Sequence, residues 1–444
     1  MSDTTITDAA GGIPEVIPGT EPAPADGPWT LYKPARRWLL LAVLFLALLC
    51  SMTDRYLMSI LLEPIKAEFH ASDTVMGLLT GFAFAAFYAI LGLPIARWAD
   101  RGDRRVIISL SLAVWSVMSA LCGFARNLPM LALARVGVGV GEAGATPPVF
   151  SLVPDYFPPN QRGRATSMLV LAMTVGILIA YTGGAQINKY EGWRAAFLWL
   201  SVPGIPFALL SFFVLSEPRR VLGHAASESK ERVGRTIGVL LRKRSLVLGV
   251  LSLTIYNLVV TGAFLWIPAY LQRVLKVDLA TQGALYGSVS VLIPLFGTII
   301  GGLMADRLTK RSPKWLAWLP AIGIGLSMPF YELSFFTHSY TLFLILSVVA
   351  IIPLSAAAPT AITLVLSVSG PSRRSLSMAV NGLITSLVGV GGGAYLAGAL
   401  SDYLAPTYGV DSLRYALMII TALLALCTLF YLAAARFVQR ELEN

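Results

Sequence analysis

The sequence predicts an all-α polytopic membrane protein of twelve transmembrane helices, arranged as two six-helix bundles with pseudo-two-fold symmetry. First, 56% of the 444 residues are hydrophobic and 13% are charged, whereas about 25% are charged in soluble domains. Second, twelve apolar runs follow one another, each long enough to cross a hydrocarbon layer of about 30 Å. Third, two motifs recur at almost the same interval in both halves of the chain. These observations exclude a soluble protein.

The predicted spans lie between a polar N-terminal tail and a short C-terminal tail. Residues 1–36 are predicted to be a disordered tail, because their first part is polar, acidic, rich in Pro and Gly, and unlike a signal peptide. Bundles at 37–216 and 246–436 flank a linker at 217–245, and 437–444 form the second tail. The spans are predicted at 38–62, 75–97, 105–124, 128–153, 165–187, 195–216, 246–271, 282–304, 316–336, 340–367, 376–399 and 413–435.

The basic residues predict the orientation of the chain. Of the 34 Lys and Arg residues, 24 lie in the tails and in the loops after the even-numbered spans, and seven lie in the opposite loops. The positive-inside rule then places both termini in the cytoplasm. This distribution explains the net charge of +10 without a nucleic-acid partner. We expect a multi-pass protein of the bacterial inner membrane.

The linker leaves two interpretations open. Val233, Ile237, Leu240 and Leu241 fall on one side of a helix and bases on the other, which is typical of a short helix at the cytoplasmic interface. A basic tether between the halves explains the same residues.

Two repeated motifs indicate a duplication. The segment 96–105, ARWADRGDRR, and the segment 302–311, GLMADRLTKR, follow spans 2 and 8 at an offset of 206 residues. The segments 164–168 and 374–378, RATSM and RSLSM, open spans 5 and 11 at an offset of 210. Six spans per half make the halves parallel, and such proteins place the substrate at mid-membrane between them.

The two Asp-Arg loops resemble the signature of the major facilitator superfamily, and the resemblance covers all twelve spans. The first loop departs from the pattern at Ala96 and Asp103. Three further stretches resemble the Spinster lipid transporters: Thr53–Tyr56 in span 1, Arg135–Pro148 in span 4, and Gly192–Phe197 before span 6. This resemblance implies a transporter of lysophospholipids or of lipids similar to sphingosine phosphate.

Four charged residues at predicted membrane depth are the candidate chemistry. Arg135 and Glu142 lie in span 4, two helical turns or about 10 Å apart, and Asp54 and Arg55 lie in span 1. One interpretation is a static ion network that joins the two helices. We favour a functional site, because charge at this depth is expensive. Asp54 and Glu142 are then the proton carriers, and Arg55 and Arg135 grip a phosphate or carboxylate.

Glycines at 137, 139, 141 and 144 surround these charges. Since they lie inside a span, we interpret them as close helix packing or as backbone exposed to a cavity, rather than as a nucleotide loop. Pro147 and Pro148 are expected to end or bend the helix.

The second half brings no charged residue to the middle of its spans. Its candidate cavity groups are polar and uncharged: Tyr256, Asn257, Thr261, Tyr286 and Asn381. A cavity with charge on one wall and apolar side chains on the other suits an amphiphile with one anionic head.

Charges at the ends of spans 2 and 8 are the candidate cytoplasmic gate. Topology explains the bases but not the paired acids, and the resemblance implies that such Asp residues hold the gate closed. The candidates are Asp100, Arg101, Arg104, Arg105, Asp306 and Arg307.

The sequence thus predicts a monomeric, proton-coupled, alternating-access transporter of a small amphiphilic lipid. A proton-coupled multidrug or organic-anion porter of the same superfamily is the alternative. A membrane-embedded lipid enzyme requires a catalytic constellation that the sequence does not display, and a non-transporting sensor is the remaining class. No cofactor or metal site is predicted, and the expected partners are the lipid, protons and membrane lipids.

Overall fold

The structure, a computed structural model, describes residues 27–218, 238, 240–370 and 373–442, without the side chains of residues 93, 96, 97, 100, 101, 374 and 375. All the secondary-structure elements in this part of the chain are helices. Ten continuous helical stretches are long and apolar enough to cross a membrane. Two of them turn back on themselves, at Gly192 and at Gly409–Asp411, so the predicted twelve spans are confirmed.

The helix bounds follow the predicted spans closely. The first six spans are Pro34–Ile60; Asp73–Gly77 continued by Leu78–Phe82 and Ala83–Arg101; Arg104–Gly123; Leu128–Glu142 with Thr146–Tyr156; and Pro159–Ser201 followed by Gly204–Val214, which contain spans 5 and 6. The last six are Arg244–Arg273; Leu279–Thr281 continued by Gln282–Tyr286 and Gly287–Leu308; Trp315–Phe336; Tyr340–Ser369; Arg374–Ile384 continued by Thr385–Gly391 and Gly392–Tyr408; and Ser412–Glu441.

Both tails and the linker fall largely outside the described residues. Residues 1–26, 219–237, 239 and 443–444 are not described, so the disordered tail and the interfacial helix stay predictions. The last helix continues to Glu441, past the predicted start of the C-terminal tail.

Span 4 is broken close to its prolines. Its first helix ends at Glu142 and its second begins at Thr146 with Pro147 in the first turn, where proline lacks only a donor that would be unpaired anyway. The glycines before the break let other helices approach. A Cβ at Gly139 would lie 2.9 Å from the Phe84 carbonyl oxygen, and one at Gly141 would lie 2.7 Å from the Trp115 nitrogen. The glycine run is therefore a packing surface for spans 2 and 3.

The Gly-Trp-Arg motif makes the turn between spans 5 and 6. Gly192 has a φ of 84°, which residues with a Cβ rarely adopt. Trp193 Nε1 and Arg194 Nη1 then donate to Glu68 at 2.7 and 2.6 Å, and Arg194 Nη2 donates to the Ala125 carbonyl oxygen at 2.9 Å. The Arg194 hydrogen bond holds the pKa of Glu68 below its usual range. The motif thus joins three connecting segments on one side of the membrane.

The two bundles meet on one side, which we call the closed side; it carries the connections at 61–72, 124–127, 274–278, 337–339 and 409–411. The opposite side, which carries Pro34 and Glu441, is the termini side. Near the closed side, Ser59 Oγ donates to the Leu265 carbonyl oxygen at 2.9 Å, and the Tyr181 hydroxyl donates to that of Phe264 at 3.3 Å. These bonds join spans 1 and 5 to span 7.

An ionic cluster strengthens this contact. Arg273, the last residue of span 7, donates to both carboxylate oxygens of Asp73 at 2.6 and 3.0 Å and also pairs with Glu63. Lys66 and Ser401 bind the same Asp73 carboxylate at 2.5 and 2.6 Å. Because its members come from both bundles, the cluster fastens the closed side. We call these five residues the Asp73 cluster.

The first turn of span 2 is capped from the other bundle. Asp402 accepts hydrogen bonds from the backbone nitrogens of Asp73 and Thr74, at 3.0 and 2.7 Å, and from the Thr74 hydroxyl at 2.6 Å. A helix N-terminus leaves such donors unpaired and favours negative charge. The capped helix also packs very closely, since a Cβ at Gly398 would lie 2.1 Å from the Asp73 carbonyl oxygen.

Candidate functional site

A cavity of about 310 Å³ lies between the bundles and is lined mostly by the second one. The first bundle contributes Tyr56, Thr174 and Ile177. Aromatic, aliphatic and hydroxyl side chains of spans 7 to 10 and 12 form the rest, and no Asp, Glu, Lys or Arg is among the lining residues. We call it the central cavity.

The four predicted charges lie together in the first bundle, and the structure pairs Arg55 with Glu142. Arg55 Nε and Nη2 both donate to Oε2 of Glu142, at 2.9 and 2.6 Å. Spans 1 and 4 therefore face each other at this depth. The Glu142 side chain is 1% exposed and that of Arg55 is 28% exposed. The accessible member of the pair is thus the arginine, next to Tyr56 of the central cavity.

Asp54 points away from Arg55, toward spans 3 and 6. Its Oδ1 accepts hydrogen bonds from Ser119 at 3.2 Å and Ser201 at 2.8 Å, and the two serine hydroxyls are 2.8 Å apart. Oδ2 has no hydrogen-bond partner among the described residues, and the residue is 1% exposed. Neighbouring positions on a helix point about 100° apart, so these two charges serve different neighbours.

Arg135 is enclosed and only partly satisfied. It is 1% exposed, and its Nε and Nη1 have no hydrogen-bond partner among the described residues. Its guanidinium lies 5.7 Å from the centre of the Phe84 ring, which Arg55 also covers at 4.7 Å. Two arginines thus lie against one aromatic ring. Because buried donors without partners are costly, Arg135 is available to bind an acceptor that enters or turns toward it.

The two arginines differ in exposure. Arg135 is 1% exposed whereas the Arg55 side chain is 28% exposed, and the anion-binding role of both stays a prediction. Glu142 is also held by Arg55 and not by Arg135.

The uncharged candidates of the second bundle separate into two groups. Tyr256, Thr261 and Tyr286 line the central cavity. Asn257 instead donates to the Leu253 carbonyl oxygen of its own helix at 2.8 Å, and Asn381 lines a different cavity of about 170 Å³ at the termini side. Neither asparagine is among the residues that line the central cavity.

Three polar residues of this region carry no sequence signal. Ser119 and Ser201, which hold Asp54, are ordinary serines inside apolar spans. Glu332 lies near the end of span 9, where a charge is unremarkable, and accepts a hydrogen bond of 2.6 Å from Thr421, which lines the central cavity. Only their burial within the folded protein could have distinguished these residues from other polar residues in the spans.

Two of the predicted gate residues, Arg104 and Arg105, pair with acidic residues of the first half of the chain. Arg104 is 1% exposed and binds Glu217 through Nε at 2.9 Å and Nη2 at 2.6 Å, and Asp155 through Nη2 at 2.5 Å. Arg105 pairs with Asp103 at 3.2 Å. Asp306 and Arg307 are exposed, and the side chains of Asp100 and Arg101 lie outside the described ones.

A sequence profile of the Major Facilitator Superfamily matches residues 44–335. An MFS-type efflux pump of Mycolicibacterium smegmatis is 31% identical over 93% of this chain and 96% of its own. Protein spinster homolog 1 of Xenopus tropicalis is 28% identical over 90% of this chain and 80% of its own. The sphingosine-1-phosphate transporter of Danio rerio is 27% identical over 86% and 81%.

The fold has the same relatives. A crystal structure of a bacterial homologue of the human lysosomal transporter Spinster, inward-facing and unoccupied, superposes with a TM-score of 0.82 at 28% identity, over 93% of this chain and 100% of that one. A D-xylose-proton symporter shares the fold alone, at 18% identity and a TM-score of 0.68. With two bundles around a central cavity and a matching profile over most of its spans, this chain belongs to the Major Facilitator Superfamily of membrane transporters, and the Spinster proteins are among its relatives.

Proposed function

We propose that this transporter carries an amphiphilic lipid with one anionic head, by alternating access and with protons as the coupling ion. The observation that carries the proposal is the one-sided charge of the site. Four charged side chains gather in the first bundle, whereas the cavity beside them is lined by uncharged residues. An anionic head would meet Arg55, and an alkyl chain would lie against the aromatic and aliphatic wall of spans 7 and 8.

The proposed coupling step is a competition for Arg55. Glu142 occupies two donors of this guanidinium. A proton on Glu142 weakens that pair, and Arg55 then binds the anionic head bidentately. Protonation and anion binding reinforce each other, and by linkage the effect is reciprocal. Asp54 is the second proposed proton carrier, and Arg135 is the second proposed anion-binding cation.

We propose that the structure represents the inward-facing state. The bonds described between the bundles cluster on the closed side, and the similar Spinster structure is named as inward-facing. The positive-inside rule places the termini side in the cytoplasm, in a bacterial inner membrane. The gate residues Asp100, Arg101, Arg104, Arg105, Asp306 and Arg307 then belong to the side that closes in the outward-facing state.

The lipid class rests on the relatives as well as on the cavity. The Danio rerio relative is named as a sphingosine-1-phosphate transporter, a lipid with one phosphate head and one alkyl chain. A cavity of 310 Å³ with a largely apolar wall falls within the size range of ordinary ligand sites. Sugars, by contrast, require polar groups from several directions.

The test is uptake into proteoliposomes of lipids that share one chain and differ in the head. We expect transport of monoacyl phosphates or sphingosine phosphate and no transport of small hydrophilic acids. Arg55→Gln should lower uptake by about tenfold or more, the effect of one lost charged hydrogen bond. Arg126→Gln, an exposed arginine of the closed side, is the matched control. Equal uptake by both variants, or uptake confined to small acids, would contradict the proposal.

A multidrug efflux activity is the second candidate. The relative from Mycolicibacterium smegmatis, named an efflux pump, is 31% identical along almost the whole chain. In that case the same vesicles would transport chemically unrelated amphiphiles, cationic ones included. Transport that requires no anionic group would favour this candidate.

A further inference from the structure

A second cavity, of about 170 Å³, lies at the termini side of the second bundle, away from the central cavity. We call it the lower groove. Span 7 contributes Leu246, Val247, Val250 and Leu251, and the end of the linker contributes Leu240 and Leu241. Span 11 completes it with Ser377, Val380, Asn381 and Ile384. The groove extends along span 7 for roughly two turns from its first residue, about 10 Å.

The wall of the lower groove is aliphatic, and its rim is open to the surroundings. Leu241 and Leu251 are 67% and 43% exposed, so apolar side chains border the opening of the groove. A hydrocarbon chain of the bilayer can enter such a groove without losing an apolar environment. What distinguishes the groove from ordinary lipid-facing surface is its polar content.

Asn381 places an unsatisfied acceptor in this groove. The residue is 6% exposed, and its Oδ1 has no hydrogen-bond partner among the described residues. A buried acceptor without a donor costs free energy. One turn earlier, the Ser377 oxygen already accepts from Ser369 at 2.7 Å. An occupant that brings a hydroxyl donor to Asn381 would satisfy the amide.

Basic residues flank the lining residues at the linker end of the groove. Arg242 follows Leu241, Arg244 begins span 7, and both are exposed. The Arg244 guanidinium lies 5.5 Å from the centre of the Phe437 ring, and the Glu441 carboxylate accepts hydrogen bonds from the backbone nitrogens of Arg244 and Ser245 at 3.0 and 2.8 Å. Lys243, between Arg242 and Arg244, is held by the Val368 carbonyl oxygen at 2.7 Å. Basic pockets between helices on the cytoplasmic side are the usual sites for anionic lipid heads. Basic residues at one end of the groove are therefore followed by an aliphatic wall, in the same order as the charged head and the acyl chain of a phospholipid.

We propose that the lower groove binds an anionic phospholipid of the surrounding leaflet whose head carries hydroxyl groups, of the phosphatidylglycerol type. The phosphate lies by Arg242 and Arg244, a head hydroxyl donates to Asn381, and one acyl chain lies along Val250, Leu251 and Ile384. The lipid bridges the linker end, span 7 and span 11. The site is separate from the transported substrate and does not depend on its identity.

The experiment measures lipid retention by native mass spectrometry of the detergent-purified chain, with added phosphatidylglycerol or phosphatidylcholine of the same chains. We expect a retained phosphatidylglycerol adduct and at least a tenfold weaker phosphatidylcholine adduct. Arg242→Gln combined with Arg244→Gln should lose the preference, and Asn381→Leu, which keeps the size of the side chain, should weaken the adduct.

Lys310→Gln combined with Arg311→Gln removes two exposed bases of the same side and is the matched control, which should keep the adduct. Equal retention of both lipids by the wild type would overturn the proposal. So would equal loss in the control and in the Arg242 and Arg244 variant, because the effect would then be one of general charge. Substrate flux is not part of this readout, so its outcome is independent of the transport proposal.

Discussion

At the residue scale, the chemistry of the candidate site depends on how its four charged side chains are paired. The sequence places Asp54, Arg55, Arg135 and Glu142 within the membrane, because depth follows from counting residues along a helix. It does not give the rotation of each helix about its axis, which decides the partner. The structure assigns Glu142 to Arg55 and Asp54 to two serines. Sequence reasoning therefore finds the residues of the cluster but not its pairs.

The pair of Arg55 and Glu142 makes a direct prediction. In Glu142→Gln the neutral amide cannot compete with an anionic lipid for the Arg55 guanidinium. Arg55 should therefore bind the lipid at high pH as well as at low pH. The wild type should bind more weakly as the pH rises, by about 5- to 150-fold for a coupling of ordinary size. Equilibrium binding of a monoacyl phosphate across pH measures this.

Glu332→Gln is the control for this prediction, because its carboxylate is held by Thr421 and not by an arginine. It should keep the pH dependence of the wild type. If Glu142→Gln retains the full pH dependence too, the competition for Arg55 is wrong.

At the scale of elements, helix ends carry the contact between bundles. Span 2 begins at Asp73 and span 7 ends at Arg273, and both side chains join the Asp73 cluster. The sequence gives no reason to select these charges, because charges at span ends are ordinary. The glycines are more informative, since Gly77 and Gly398 mark the close approach of spans 2 and 11. Packing surfaces can be predicted from such residues, whereas ion pairs across bundles cannot.

Removing the Asp73 charge should open the closed side. Asp73→Asn removes the negative charge that accepts the bidentate pair from Arg273 and the bond from Lys66. The state in which the bundles are apart on this side should therefore gain population. Spin labels at Tyr190 and Tyr403, which are 76% and 81% exposed on different bundles, report the distance. The three native cysteines are buried and can be replaced beforehand. We expect a longer distance to gain population.

Asp278→Asn is the matched control, because Asp278 caps its own helix through Thr281 at 3.1 Å and asparagine caps equally well. An unchanged distance distribution in Asp73→Asn, or the same change in the control, would show that the cluster does not hold this side.

At the scale of the whole molecule, the duplication predicts most of the architecture. Twelve apolar spans and two repeated motifs are sufficient for two parallel six-helix bundles, and the structure and the superfamily profile confirm them. The conformational state could not be predicted, because the pattern within each half is the same in every state. The central cavity also follows from the relative placement of the halves, which explains why Tyr256 and Tyr286 line it while Asn257 and Asn381 do not. Helical periodicity within one span contains no information about the other bundle.

We propose above all that protons and an anionic lipid move together through Arg55 and Glu142. The most direct measurement is the internal pH of proteoliposomes when a gradient of a monoacyl phosphate lipid is applied without any pH gradient. We predict that lipid influx acidifies the lumen in the wild type and that Glu142→Gln combined with Asp54→Asn abolishes the pH change. Lipid flux of the wild type with no change in internal pH, or an undiminished pH change in the double variant, would contradict the account.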